Sequence, residues 1–153
     1  MCSNLKNIFF LFFILQSYCF AKGIDDQTMG PVVPVVNHLL KQDTISKHGL
    51  SAIFKMRLLE WKDGTAITVY VLADDRPLHK VFCKKTLNVF PYQMRKTWDQ
   101  LVFSGSGQAP TQLNSKAEMI RKLSSTPGAI GYLRASEITE SIKVLHIESG
   151  SHY

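Results

Sequence analysis

Apolar positions in this chain recur in two rhythms, a period of two and a period of three to four. Val32-Val33-Pro34-Val35-Val36 is a β-branched run that predicts a buried strand. Pro34 has no N–H to give a ladder, so that strand is expected at an edge or kinked there. Ser46 predicts a helix cap, with Leu50, Ile53 and Phe54 on one face of a helix ending at Phe54. Trp61-Lys62-Asp63-Gly64 reads as a turn in which Gly64 is free to take positive φ. Ile67–Leu72 alternates cleanly, with Ile67, Val69 and Val71 on one face and Thr68, Tyr70 and Leu72 on the other.

Helical spacing resumes at Pro77, which suits a first helical turn and is followed by Leu78, Val81 and Phe82. Pro91 opens another helix with a stripe of Met94, Trp98, Leu101 and Val102. Ser104–Pro110 is a flexible loop. Ser115-Lys116-Ala117-Glu118 is a capping box that starts a helix to about Ser124. Pro127-Gly128 marks a turn, and Ala129–Leu133 a strand in which Gly131 permits close packing. Ile138 falls in a short helical or turn segment, and Lys143–Ile147 is the last strand. The alternation of types predicts an α/β class with a mainly parallel or mixed sheet.

The amino terminus follows a different pattern. Lys6 precedes an unbroken apolar run, Ile8–Leu15, after which Gln16-Ser17-Tyr18 turns polar and Cys19-Phe20-Ala21 ends on a small residue. This is the layout of a secretory signal with cleavage after Ala21, and the run is too short to span a bilayer. The expected organisation is a signal over 1–21, a flexible N-terminus over 22–31, one domain over 32–147 and a polar tail over 148–153. Periplasmic export follows, with no membrane span after cleavage. Cleavage would leave Cys83 as the sole cysteine, so no intramolecular disulfide is expected. The length of 153 residues suits a single domain.

Charge narrows the chemistry only slightly. Eighteen Lys and Arg against twelve Asp and Glu give a formal +6, which suits an anionic ligand. That excess is small for nucleic acid, and export removes the usual nucleic-acid partner. The five histidines form no H-x-x-x-H pair and there is no C-x-x-C, so no metal is expected, nor any cofactor. No serine stands in a G-x-S-x-G elbow. Cys83 reads as a half-buried thiol on an apolar face, despite Lys84 and Lys85 beside it. Asp74 and Asp75 read as helix-start charges and not as a catalytic pair. No constellation supports an enzyme. Gly105-Ser106-Gly107 follows a helix and lacks a G-K-[ST], so it is not a P-loop.

In an α/β sheet, ligands gather beyond the carboxyl ends of strands. Two places meet that rule here: Asn37-His38 after the first strand, and Asp74–Leu78 after the clear one. Arg76 stands at the start of a helix, where an oxyanion is favoured. The competing reading pairs Arg76 with Asp74 or Asp75, which would cancel its field.

Ile53-Phe54, Trp61-Lys62-Asp63-Gly64, Pro77-Leu78 with Phe82, Trp98, Phe103-Ser104-Gly105-Ser106-Gly107-Gln108-Ala109-Pro110 and Thr126-Pro127-Gly128-Ala129-Ile130-Gly131-Tyr132 occur in that order. Together they resemble the small periplasmic proteins related to the phosphate-binding component of ABC transporters, over about residues 32–147. The resemblance implies a single periplasmic binding protein-like (type II) lobe, a mixed sheet flanked by helices, and non-catalytic binding of phosphate or another small oxyanion. Full-length receptors of that kind are longer and hold phosphate between two lobes, with hydroxyls, an arginine and an aspartate around it. Where the small relatives read S-P-L-R, this chain has Arg76-Pro77-Leu78-His79, and where they often carry glycine after I-F-x it has Met56. The expected ligand residues are Asn37, His38, Arg76, His79, Ser104 and Ser106. The alternative is an accessory or interaction protein that kept the fold and lost the ligand, docking a protein partner or a second copy through its exposed face.

Overall fold

The computed structural model describes residues 30–149. Residues 1–29, which include the expected signal, and residues 150–153 lie outside them. Within the described part, a five-stranded sheet has the order β4-β3-β5-β1-β6. Its strands are β1 (Val32–Asn37), β3 (Thr68–Leu72), β4 (Thr111–Leu113), β5 (Ala129–Arg134) and β6 (Ile142–Val144). A separate parallel pair joins β2 (Thr44–Ile45) to β7 (His146–Ile147). The helices are α1 (Lys47–Phe54), α2 (Pro77–Val81), α3 (Pro91–Phe103) and α4 (Lys116–Ser125). A π-helical segment, Phe82–Leu87, extends α2 and ends at Asn88 with φ of 56°. The class is α/β with a mixed sheet flanked by helices.

Strand direction decides what the sheet can present. β3 runs parallel to both β4 and β5, whereas β1 runs antiparallel to β5 and to β6. Pro34 sits in an interior strand, but β6 covers β1 only over Val35–Asn37, so the proline lies where the second neighbour ends. Its carbonyl accepts from Leu145 N at 3.0 Å, and no amide proton is needed on that side.

β5 alternates between the two layers. Gly131 faces α4, where a Cβ would lie 3.1 Å from Met119 Sδ and 3.4 Å from a Leu123 methyl carbon. Tyr132 faces the other layer and stacks on Phe82, with centroids 4.3 Å apart. Phe82 in turn meets Phe54 at 4.8 Å. Indole groups lock the loops to this core: Trp98 Nε1 donates to Phe54 O at 2.8 Å and Trp61 Nε1 to Gly128 O at 2.9 Å. Both bonds are buried, so each fixes a position as well as satisfying a polar group.

Local signals placed most helices. The Ser46 hydroxyl accepts from Gly49 N, and that of Ser115 accepts from Glu118 N. Pro77 and Pro91 both occupy first-turn positions. The α3 stripe is shorter than its spacing predicts. Met94 and Trp98 are buried and Leu101 is half-buried, but Val102 is 51% exposed and Phe103 89%. Met56 has φ of 57°, a left-handed conformation that glycine adopts freely and that costs methionine roughly 1 kcal/mol. Packing of its side chain against the core offsets that cost.

Gly128 has the strictest requirement. Its φ is +73°, and a Cβ there would lie 2.3 Å from Ala66 O. Gly128→Ala is therefore expected to lower stability by at least about 2 kcal/mol. Urea denaturation measures this, and an unchanged midpoint would contradict the turn geometry.

Candidate functional site: the carboxyl edge of the parallel strands

β4, β3 and β5 all end at the same edge of the sheet. The segments that follow them are Asn114-Ser115, Ala73–Arg76 and Ala135–Glu137. A pocket of about 370 Å³ opens among them, reaching from Leu72 and Pro77-Leu78 to Lys116, Arg134 and Glu137. Three cations and one carboxylate meet here.

Each charged group is held by its own element. Arg76 is the N-cap of α2, is exposed, and donates from Nη2 to Asn114 O at 3.0 Å. Asp74 does not pair with Arg76: it takes Arg95 Nε at 3.0 Å and Nη2 at 2.9 Å. That bidentate pairing keeps Asp74 below the ordinary carboxylate range, with burial opposing it, and keeps Arg95 above its ordinary value. Asp74 is consequently spent on α3 and does not act as a helix-start charge for α2. Among the described residues no carboxylate is paired with Arg76.

Lys116 is the first residue of α4 and pairs with Glu137 Oε1. The other oxygen of Glu137 accepts from Arg134 N at 3.2 Å, which anchors the short 3₁₀ turn Ala135–Glu137. Arg134, the last residue of β5, donates from Nη1 to Gly30 O at 3.3 Å. The N-terminus of α4 is already occupied, since Ser115 caps it and Glu118 stands in its first turn. The positive charge at this edge therefore comes from side-chain cations more than from free helix amides.

The other expected ligand residues are elsewhere. Asn37 is buried at the end of β1, and its amide donates to Leu123 O at 2.7 Å and Ser124 O at 3.0 Å. It closes the C-terminus of α4 and does not face solvent. His38 is exposed, with Nδ1 3.0 Å from Ser141 O. Because β1 is antiparallel to β5, both residues lie at the sheet edge opposite to Arg76. The loop Ser104–Pro110 precedes β4 and so also belongs to that opposite edge. Its two hydroxyls bond to each other, Ser104 Oγ to Ser106 Oγ at 2.7 Å. The six residues thus do not converge, because β1 runs against β3 and the glycine-rich loop enters a strand where the rule requires one to leave.

His79 lies near the right edge but is only 1% exposed. The Tyr132 hydroxyl accepts from Leu72 N at 2.7 Å and lies 2.6 Å from His79 Nδ1. Every group is satisfied when the phenol donates to Nδ1, which leaves the proton of neutral imidazole on Nε2. That atom is 3.4 Å from Cys83 Sγ and 3.8 Å from Asp74 Oδ1. Burial holds His79 below its ordinary value, against the pull of Asp74. Burial, helped by Asp74, pushes the Cys83 thiol up to about 12, and burial also raises Tyr132. Cys83 is fully buried, and a thiol so held is inert. His79 is therefore a structural group behind the pocket.

Lys116, Arg134 and Glu137 were not among the expected ligand residues. A second hollow, about 510 Å³, lies beside Trp61 and carries two carboxylates, Glu60 and Glu148, with Lys62. Among the described residues no cluster of His, Cys, Asp and Glu is built to hold a metal ion, and no helix is long and apolar enough to cross a membrane.

No family model and no curated protein matches the sequence. Solved structures do match the fold. An ABC-type phosphate transport receptor from Vibrio cholerae aligns with a TM-score of 0.54 at 14% identity, covering 76% of this chain and 46% of that one. A protein from Clostridium perfringens, described as a phosphate ABC transporter substrate-binding protein and holding phosphate, gives 0.62 at 11% identity, covering 76% and 44%. PstS from Borrelia burgdorferi gives 0.59 at 19%, covering 80% and 49%. The chain has the periplasmic binding protein-like fold of these proteins and spans less than half the length of each.

The neutral, buried state of His79 sets a pH dependence. A histidine whose folded value is depressed contributes stability that is complete above its unfolded value of about 6.5 and is lost as pH falls below it. Asp74, also depressed, loses its contribution only below its own ordinary value near 4. Between pH 7.5 and 5.0 the urea midpoint should therefore fall, and His79→Gln should flatten that fall. Equal pH dependence in both proteins would refute the assignment.

Proposed function

We propose that this protein is an exported, non-catalytic solute-binding lobe that holds a small oxyanion at the carboxyl edge of β4, β3 and β5. The observation that carries the reading is the convergence of Arg76, Lys116 and Arg134 on one pocket at that edge. Phosphate is the first ligand to test, because the solved proteins that share the fold are phosphate receptors by name. Export rests on Lys6, the apolar run Ile8–Leu15 and Ala21, which lie outside the described residues.

The charges support binding without chemistry. Arg76 offers a planar fork suited to an oxyanion, and Lys116 a compact ammonium. Glu137 offsets the charge of Lys116, so the pocket does not have a deep field. Exposed ion pairs are each worth about 1 kcal/mol or less, so affinity for a bare anion should be modest and salt-sensitive.

The accessory-protein reading draws on Phe103 and Val102, which are exposed at the end of α3. It makes the opposite forecast for anions. Equilibrium dialysis with labelled inorganic phosphate distinguishes the two. Binding at millimolar ligand or below is expected, weakened about fivefold by Arg76→Gln. Absence of binding at millimolar phosphate would remove the solute-binding reading.

A further inference from the structure

The size and lining of the pocket bear on which anion it takes. A bare tetrahedral oxyanion occupies roughly twice the volume of a liquid water, about 60 Å³. The pocket is about 370 Å³. Most of it would remain filled with water around such an ion.

The walls are also not those of a purely ionic seat. Beside the cations, the lining includes Pro77, Leu72 and Leu78. Pro77 is exposed, and Leu78 keeps 8% of its surface. These groups give an inorganic ion nothing, whereas an apolar body seated on them gains by leaving water. Glu137 points the same way. Its carboxylate, paired with Lys116 and largely withdrawn from solvent, repels a compact ion of high charge more than an elongated ligand whose charge sits at one end. Pockets that take small organic ligands share this design, an apolar wall with a few polar groups fixing one end, and their volumes begin at roughly 300 Å³.

We infer that the ligand is a small organic oxyanion, with its charged head on Arg76 and a compact apolar body over Pro77 and Leu78. This rests on the oxyanion reading above and adds the ligand's class to it. The head is a phosphate or a carboxylate, since either fits the arginine fork.

Calorimetric titration of the full chain tests the inference with two pairs of probes, inorganic phosphate against butyl phosphate and acetate against hexanoate. In at least one pair the organic anion should bind roughly tenfold more tightly, the effect of burying about two methylenes. Leu78→Thr should bring that ratio towards one while leaving inorganic phosphate affinity in place. Pro77→Ser, at an exposed position, makes the same test should the Leu78 variant fail to fold. Arg76→Gln should weaken the organic and inorganic anions together. If inorganic phosphate binds but neither pair shows a preference for the organic member, the inference is overturned and the oxyanion reading stands. If the preference appears but ignores Arg76 and both wall variants, the ligand sits elsewhere and the inference is again overturned. If no probe binds, both readings fall.

Discussion

The phenol oxygen of Tyr132 holds β3 and β5 together after their ladder has ended. The two strands pair only at Thr68↔Ala129 and Val69↔Ile130. Beyond that point the pairing ends, and the amide of Leu72 takes no acceptor from the β5 backbone. A buried amide without a partner costs about 1–3 kcal/mol. Tyr132 supplies the missing acceptor from the side-chain layer and donates its own hydrogen bond to His79. One residue therefore fixes the end of β3, the first turn of α2 and, through its stack on Phe82, the layer behind them. The bond lies at the strand ends that open into the pocket. Leu72 is both the donor in that bond and a wall of the pocket.

The fold was legible wherever the determining signal is local. Ser46, Pro77, Pro91 and Ser115 set helix starts through their own backbone geometry, and the alternation across Ile67–Leu72 needs no distant partner. β2 and β4 were missed for the opposite reason. They have two or three residues each, are largely exposed, and exist only because a distant strand completes the ladder, while the single strand expected over Lys143–Ile147 is divided into β6 and β7. The end of α3 misled because apolar spacing says which residues share a face, not whether another layer reaches far enough to cover it.

The site was half legible for a related reason. The strand-end rule led to Arg76, which lines the pocket, since β3 has the direction the rule assumes. The same rule failed at Asn37-His38, because nothing local reveals that β1 runs antiparallel. Lys116 and Arg134 obey the rule as well as Arg76 does, one just after β4 and the other closing β5. The signal that would have found them was a basic residue at each strand exit. It could be used only once β4 was known to be a strand and all three were known to share a direction.

Exposure sets how this edge can gain affinity. Arg76 and Lys116 both stand in water, so each charge acts through a high dielectric and a screening length of about 8 Å at physiological salt. A unit pair at contact is then worth on the order of 1 kcal/mol, and three cations less one carboxylate do not amount to a tight site. A receptor with a second lobe can raise that figure by excluding water from the ion. Among the described residues there is no second wall, so an additional favourable contribution has to come from surface the pocket already owns. The one contribution that does not weaken in high dielectric is burial of apolar area, and the Pro77–Leu78 wall is where that area lies.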